Sequence, residues 1–111
     1  FAGQSNFQQT AGNCIGSQTT VTAQARKSIT NTAFTYQTSW TITPCKENVQ
    51  YNVYLANSVD DKTEITTGMA GKGTVKSESK QFSYAKRYQL ICVWNSDRAV
   101  GNDGYACFNI V

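Results

Sequence analysis

Two alternating runs constrain this 111-residue chain more than anything else in it. In FTYQTSWTI, Phe34, Tyr36, Thr38, Trp40 and Ile42 occupy every second position, and in VQYNVYL, Val49, Tyr51, Val53 and Leu55 do the same. Successive side chains of a β-strand point to opposite faces, so a two-residue period marks a strand with one buried face. Pro44 lies between the runs and ends the first, because proline has no N–H to give to a ladder. A slip of one residue would turn Tyr51, Val53 and Leu55 outward together, so the same pattern pins the register.

The rest of the chain fits this pattern. Leu occurs twice and Met once, whereas Val, Ile and Thr together supply twenty-eight residues. Branched and aromatic side chains suit a pleated surface, and the straight-chain helix formers are scarce. Further strands are expected at 19–25, with Val21, Ala23 and Ala25 on one face, at 63–67, at 74–84 around Val75 and Phe82, at 87–94 and at 105–111. In 87–94, Tyr88, Leu90, Cys92 and Trp94 share one side, while Ile91 and Val93 make the other side apolar too, as in a central strand. Polar or glycine-rich connections are expected at 26–32, 57–62, 68–73 and 95–104. Residues 1–18 show no period and read as an irregular N-terminal arm, leaving 19–111 as a single domain. Short strands at this spacing predict an all-β, antiparallel sandwich of about seven strands.

Cys14, Cys45, Cys92 and Cys107 are an even set without a Cys-x-x-Cys spacing, and the sequence has no histidine. A zinc site has no ligand pattern to use here, so two disulfides are expected. Their connectivity stays open among three arrangements; a Cys45–Cys92 bridge, for example, would close a loop of nearly fifty residues, worth about 4 kcal/mol in the chain-entropy model. Disulfides persist in oxidising compartments, so the expected location is secreted and extracellular. Such a chain enters through a signal peptide that processing removes, and no charged stretch followed by an apolar one stands at Phe1.

The order of motifs resembles a fibronectin type III or related immunoglobulin-like sandwich. Trp40, Pro44 and Tyr51-Asn-Val53 look like the end of the family's second strand, its loop and its third strand. Tyr88-Gln-Leu90-Ile-Cys92, followed by Asn95 and Gly101, looks like its sixth. The resemblance spans 34–111 and implies architecture only: Tyr88 as the corner tyrosine, Trp40 in the core, Cys92 pointing inward. The chain departs from the family in its cysteines, its missing proline-rich start and its Gln- and Gly-rich arm. One architecture hosts many functions, so none is carried over.

Most catalytic constellations lack their parts. Without histidine, Ser-His-Asp and Cys-His chemistry are excluded. Asp60, Asp61 and Glu64 crowd a turn tip, where solvent keeps carboxylates from the raised pKa that acid catalysis needs. Asn95-Ser-Asp97 and Asn102-Asp103-Gly104 fail the calcium-loop pattern, with Ala99 and Gly101 at ligand positions. Gly71-Lys72-Gly73 lacks the Ser or Thr and the helix of a phosphate loop. It is read as a flexible loop whose Lys72 could enter a protease or receptor pocket. Net charge is +3, and Lys76, Lys80, Lys86 and Arg87 form only a loose cluster, too sparse for a nucleic-acid footprint. No apolar run approaches the ~20 residues of a membrane-spanning helix. No cofactor or metal is implied, and the expectation is a protein without enzymatic activity.

Tyr and Trp supply large contact area with a polar handle, and both recur at binding hot spots. Tyr54 lies on the face opposite Tyr51 and Val53, Trp94 ends a strand, and Tyr105 follows the next loop. These three are expected to form a contact patch, with Asp97 and Arg98 setting electrostatic complementarity. The expected function is secreted recognition of a protein or cell-surface ligand. The alternative is a small secreted toxin, effector or enzyme inhibitor.

Overall fold

The computed structural model describes residues 19–97 and 103–111. The expected arm at 1–18, with Cys14, and Arg98 in the 95–104 loop lie outside the described residues. Among the described residues, seven strands occur in order: β1 (Thr20–Thr30), β2 (Ala33–Thr43), β3 (Val49–Ser58), β4 (Asp61–Ala70), β5 (Lys76–Tyr84), β6 (Leu90–Asn95) and β7 (Tyr105–Asn109). They form a three-stranded sheet, β1-β2-β5, and a four-stranded sheet, β4-β3-β6-β7. Every neighbouring pair is antiparallel. The fold is therefore an all-β sandwich, as the alternation requires.

The core is the set of side chains that the two runs place inward. Tyr36, Trp40 and Ile42 from β2 meet Val49, Tyr51, Val53 and Leu55 from β3, all buried. Val21, Ala23 and Ala25 complete the first sheet's inner face, and Ile91, Val93, Ala106 and Phe108 the second's. The backbone also joins the sheets along one side. Lys27 N–H donates to Val111 C=O at 2.9 Å, and Val111 N–H donates to Ala25 C=O at 3.1 Å. The end of the chain thereby covers part of the β1 edge, which would otherwise expose unpaired backbone groups.

Three expectations about the strands are corrected. The 26–32 connection is the far half of a hairpin: β1 runs to Thr30 and returns at Ala33, with Asn31 at φ 55° in the turn. Its apolar period fades because its tip has little core to face, leaving Ile29 71% exposed, and the ladder rather than burial extends it. The glycine-rich loop at 68–73 begins only after Ala70. Gly68 remains in β4 because the Tyr51 phenol lies against it; a Cβ there would stand 2.8 Å from Tyr51 Oη. The remainder is a short anchored turn, not a loose loop. Thr74 N–H donates to Gly71 C=O, Gly73 N–H to Pro44 C=O and Lys72 N–H to Asn48 Oδ1.

The expected roles of Cys92 and Tyr88 are also corrected. Cys92 bonds to Cys107, its register partner on β7, with Cα atoms 4.1 Å apart, so no Cys45–Cys92 bridge exists. Cys92 points away from the sandwich core, because Ile91 and Val93 take the inward positions of β6. One disulfide is placed where two were expected; Cys45 is not a free thiol, and Cys14 lies outside the described residues. Tyr88 does not stitch the β5–β6 corner with its hydroxyl, which meets Thr63 Oγ1 instead. Tyr36 does so from the facing strand, donating to Lys86 C=O at 2.9 Å and accepting from Tyr88 N–H at 2.7 Å.

Candidate recognition surface

The outer face of the four-stranded sheet is built by the parity opposite to the core. On β3 that parity carries Asn52, Tyr54 and Ala56; on β6 it carries Leu90, Cys92 and Trp94; on β7, Tyr105 and Cys107. Register sets Tyr54 beside Cys92 and Cys107, and Asn52 beside Trp94 and Tyr105. Tyr54, Trp94 and Tyr105, read from the sequence as one patch, therefore share one face across three adjacent strands.

Beneath the rings lies a second, smaller apolar cluster of Ala56, Leu90, Cys92 and Cys107, with Tyr54 and Tyr105 packed against it. The two phenol rings lean together over the disulfide at a centroid distance of 6.1 Å and a tilt of 46°. A crosslink between register partners removes freedom from the strands that carry Trp94 and Tyr105, so the aromatic group stands on a stiff base. All three aromatic side chains remain half-buried.

Polar groups frame the rings. Asn52 Nδ2 donates to Tyr54 Oη at 3.0 Å, and Thr67 Oγ1 donates to Asn52 Oδ1 at 3.0 Å. Lys62 Nζ stands 5.7 Å from the Tyr54 ring centroid, within cation–π range. Glu64 is the register partner of Tyr54 on β4, brought there by a bulge that gives β4 the extra residue Ile65. Ile65 packs against the main core, which explains the bulge. One cation and one anion thus border the patch. Sequence reasoning missed Asn52, Lys62 and Glu64; the shared parity of Asn52 and Tyr54 was the available signal for the first.

Trp94 is positioned by its neighbour across the β6–β7 connection. Gly104 has φ 90°, and a Cβ there would lie 2.8 Å from Asn95 O and 3.0 Å from Trp94 Nε1. The buried Asn95 holds the same connection, donating its N–H to Gly104 C=O and accepting from Asp97 N–H at Oδ1.

Asp97 and Lys72 stand elsewhere. The Asp97 carboxylate accepts from Thr19 N–H at 3.2 Å and Thr19 Oγ1 at 2.8 Å, clasping the start of β1 to the end of β6. Lys72 lies at the sandwich end, in the turn bound to Pro44 and Asn48. The start of the 95–104 loop meets the first residues of β3, where Ser96 N–H donates to Gln50 C=O and Gln50 N–H to Ser96 Oγ. Two members of the loose basic cluster, Lys76 and Lys80, flank Glu78, and Lys86 pairs with Asp61. No group of three or more metal-binding side chains occurs among the described residues. No family model, curated protein or solved structure matches the chain.

Proposed function

We propose that this chain is an extracellular recognition module that binds a protein partner through the outer face of its four-stranded sheet. The observation that carries the reading is the convergence of Tyr54, Trp94 and Tyr105 on one face above the Cys92–Cys107 bridge. Half-buried aromatic rings on a rigid base lose little side-chain freedom on binding and bury much area, which is what hot-spot residues do. The bordering Lys62 and Glu64 would orient the partner more than attract it.

Within the same proposal the sandwich is of the fibronectin type III kind. In support, β4 pairs with β3 rather than closing the β1-β2-β5 sheet, unlike the fourth strand of a constant immunoglobulin domain. The oxidised pair supports residence outside the reducing cytosol.

The test compares capture of extracellular proteins by the intact chain with capture by Trp94→Ala and Tyr54→Ala. The expected result is a defined partner lost by both variants while their melting curves remain cooperative. A partner held equally by all three proteins would overturn the assignment of this face.

A further inference from the structure

We infer that the opposite sheet carries a separate binding site for a neutral oligosaccharide, centred on Gln24, Gln37, Ser39 and Ser79. The inference does not depend on the protein-recognition reading, because the site lies on the other side of the sandwich.

Antiparallel register arranges the outer side chains of β1, β2 and β5 in rows across the strands. The central rows are Gln24–Ser39–Ser79 and Arg26–Gln37–Gln81. Flanking them are Thr22–Thr41–Ser77 and Ser28–Thr35–Ser83. Arg26 is the one charged side chain in these rows. The flanking rows are internally tied: Thr41 and Ser77 hydroxyls stand 2.7 Å apart, and Thr35 and Ser83 hydroxyls 3.3 Å apart. The central side chains make no such bond to another described residue, so their donors and acceptors face outward unspent.

A shallow cleft of about 380 Å³ runs over these central rows, lined by the side chains of Gln24, Arg26, Gln37, Ser39 and Ser79 and bordered by the exposed Val111. That volume falls at the lower end of small-ligand sites. A second cleft shares Gln24 and Ser39 and continues toward Thr22 and Thr41. The two clefts adjoin at Gln24 and Ser39 and together make a trough across β1 and β2, the shape a chain-like ligand would follow.

The chemistry of the trough selects the ligand class. A glutamine amide presents a donor and an acceptor side by side, and a serine hydroxyl can serve as either. Sugar hydroxyls also donate and accept, so adjacent hydroxyls on a pyranose can pair with one amide. Arg26 is the single charged side chain lining the trough, so an anionic polymer would leave most of its charges unpaired, whereas a neutral sugar brings no charge of its own to desolvate. Trp40 lines the second cleft but is only 1% exposed, so it offers no open ring face to a flat apolar ligand.

The experiment is a titration of the isotopically labelled chain with maltohexaose, cellohexaose, mannohexaose, chitohexaose and a heparin hexasaccharide, followed by amide NMR. The expected result is a shift confined to residues around 24–26, 37–39 and 79 with at least one neutral hexamer. Gln24→Ala/Gln37→Ala should weaken that binding about tenfold, as loss of two or more neutral hydrogen bonds predicts, and Trp94→Ala should leave it unchanged. Both variants are checked for an intact melting transition. The proposal is overturned if no neutral hexamer shifts these amides at millimolar concentration, if only heparin does, or if the double variant binds as tightly as the parent.

Discussion

The phenol of Tyr36, on β2, completes the backbone of Tyr88, at the entry to β6: it accepts the Tyr88 N–H at 2.7 Å while donating to Lys86 C=O at 2.9 Å. One hydroxyl thus joins the two sheets at a corner where the chain leaves one for the other. The rings of Tyr36, Tyr84 and Tyr88 pack around it, with centroids between 6.0 and 6.4 Å apart.

Removing that hydroxyl should cost more than removing its counterpart. Tyr36→Phe leaves the Tyr88 N–H unpaired in a buried setting, an expected loss of about 1–3 kcal/mol. Tyr88→Phe frees only a partly buried hydroxyl contact with Thr63, for about 0.5–1.5 kcal/mol. Urea denaturation of both variants measures the difference. Equal losses would return the corner role to Tyr88.

The inner parity of β2 and β3 was legible because each run has one apolar face. Strand β6 was not, since LICVWN is apolar on both faces and periodicity cannot say which face meets the other sheet. The family resemblance then directed Cys92 inward, and the register of Ile91 and Val93 against the core places it outward. β4 was legible only as the short stretch 63–67 for another reason: Ile65, the one large apolar residue of that stretch, sits in a bulge, where alternation breaks. Tyr54, Trp94 and Tyr105 could be nominated individually, but that they share a face needed the pairing of β3, β6 and β7.

The Cys92–Cys107 bridge spans 15 residues. A loop of that size corresponds to about 3 kcal/mol in the chain-entropy model. Cys92→Ser/Cys107→Ser should therefore melt well below the parent, by an amount that thermal denaturation reads directly. Non-reducing peptide mapping should recover one crosslinked fragment containing both residues. A fragment joining Cys45 to Cys92 would refute the strand pairing of β6 and β7.

The two tryptophans should separate cleanly in fluorescence. Trp40 is 1% exposed in the core, and Trp94 is half-buried on the outer face. Acrylamide should quench a fraction of the emission readily, and Trp94→Phe should abolish that fraction. Gly104→Ala should alter the same fraction, because its Cβ would press on Trp94 Nε1 and Asn95 O and its φ of 90° suits glycine alone. If Gly104→Ala leaves both quenching and stability unchanged, the connection does not position Trp94.

Alkaline pH should destabilise the fold through three phenols. Burial raises the pKa of Tyr36, Tyr84 and Tyr51 above the ordinary value of 10.0, and the negative charge of Glu78 raises Tyr51 further. Because the folded pKa exceeds the unfolded one, each contribution is fully present below pH 10 and is lost as pH rises through the folded values. Ultraviolet titration should show these phenols ionising late, together with a falling melting temperature. At the acid end, Asp61 has a lowered pKa because Lys86 and then Asn57 bond to its carboxylate. Its contribution is present above the unfolded carboxylate range and is lost as pH falls through the folded value. Both groups are exposed, so Asp61→Asn should lower the melting temperature only slightly at neutral pH. That small gap should close in acid, and a gap that persists there would assign the effect to the Asn57 contact instead of the charge.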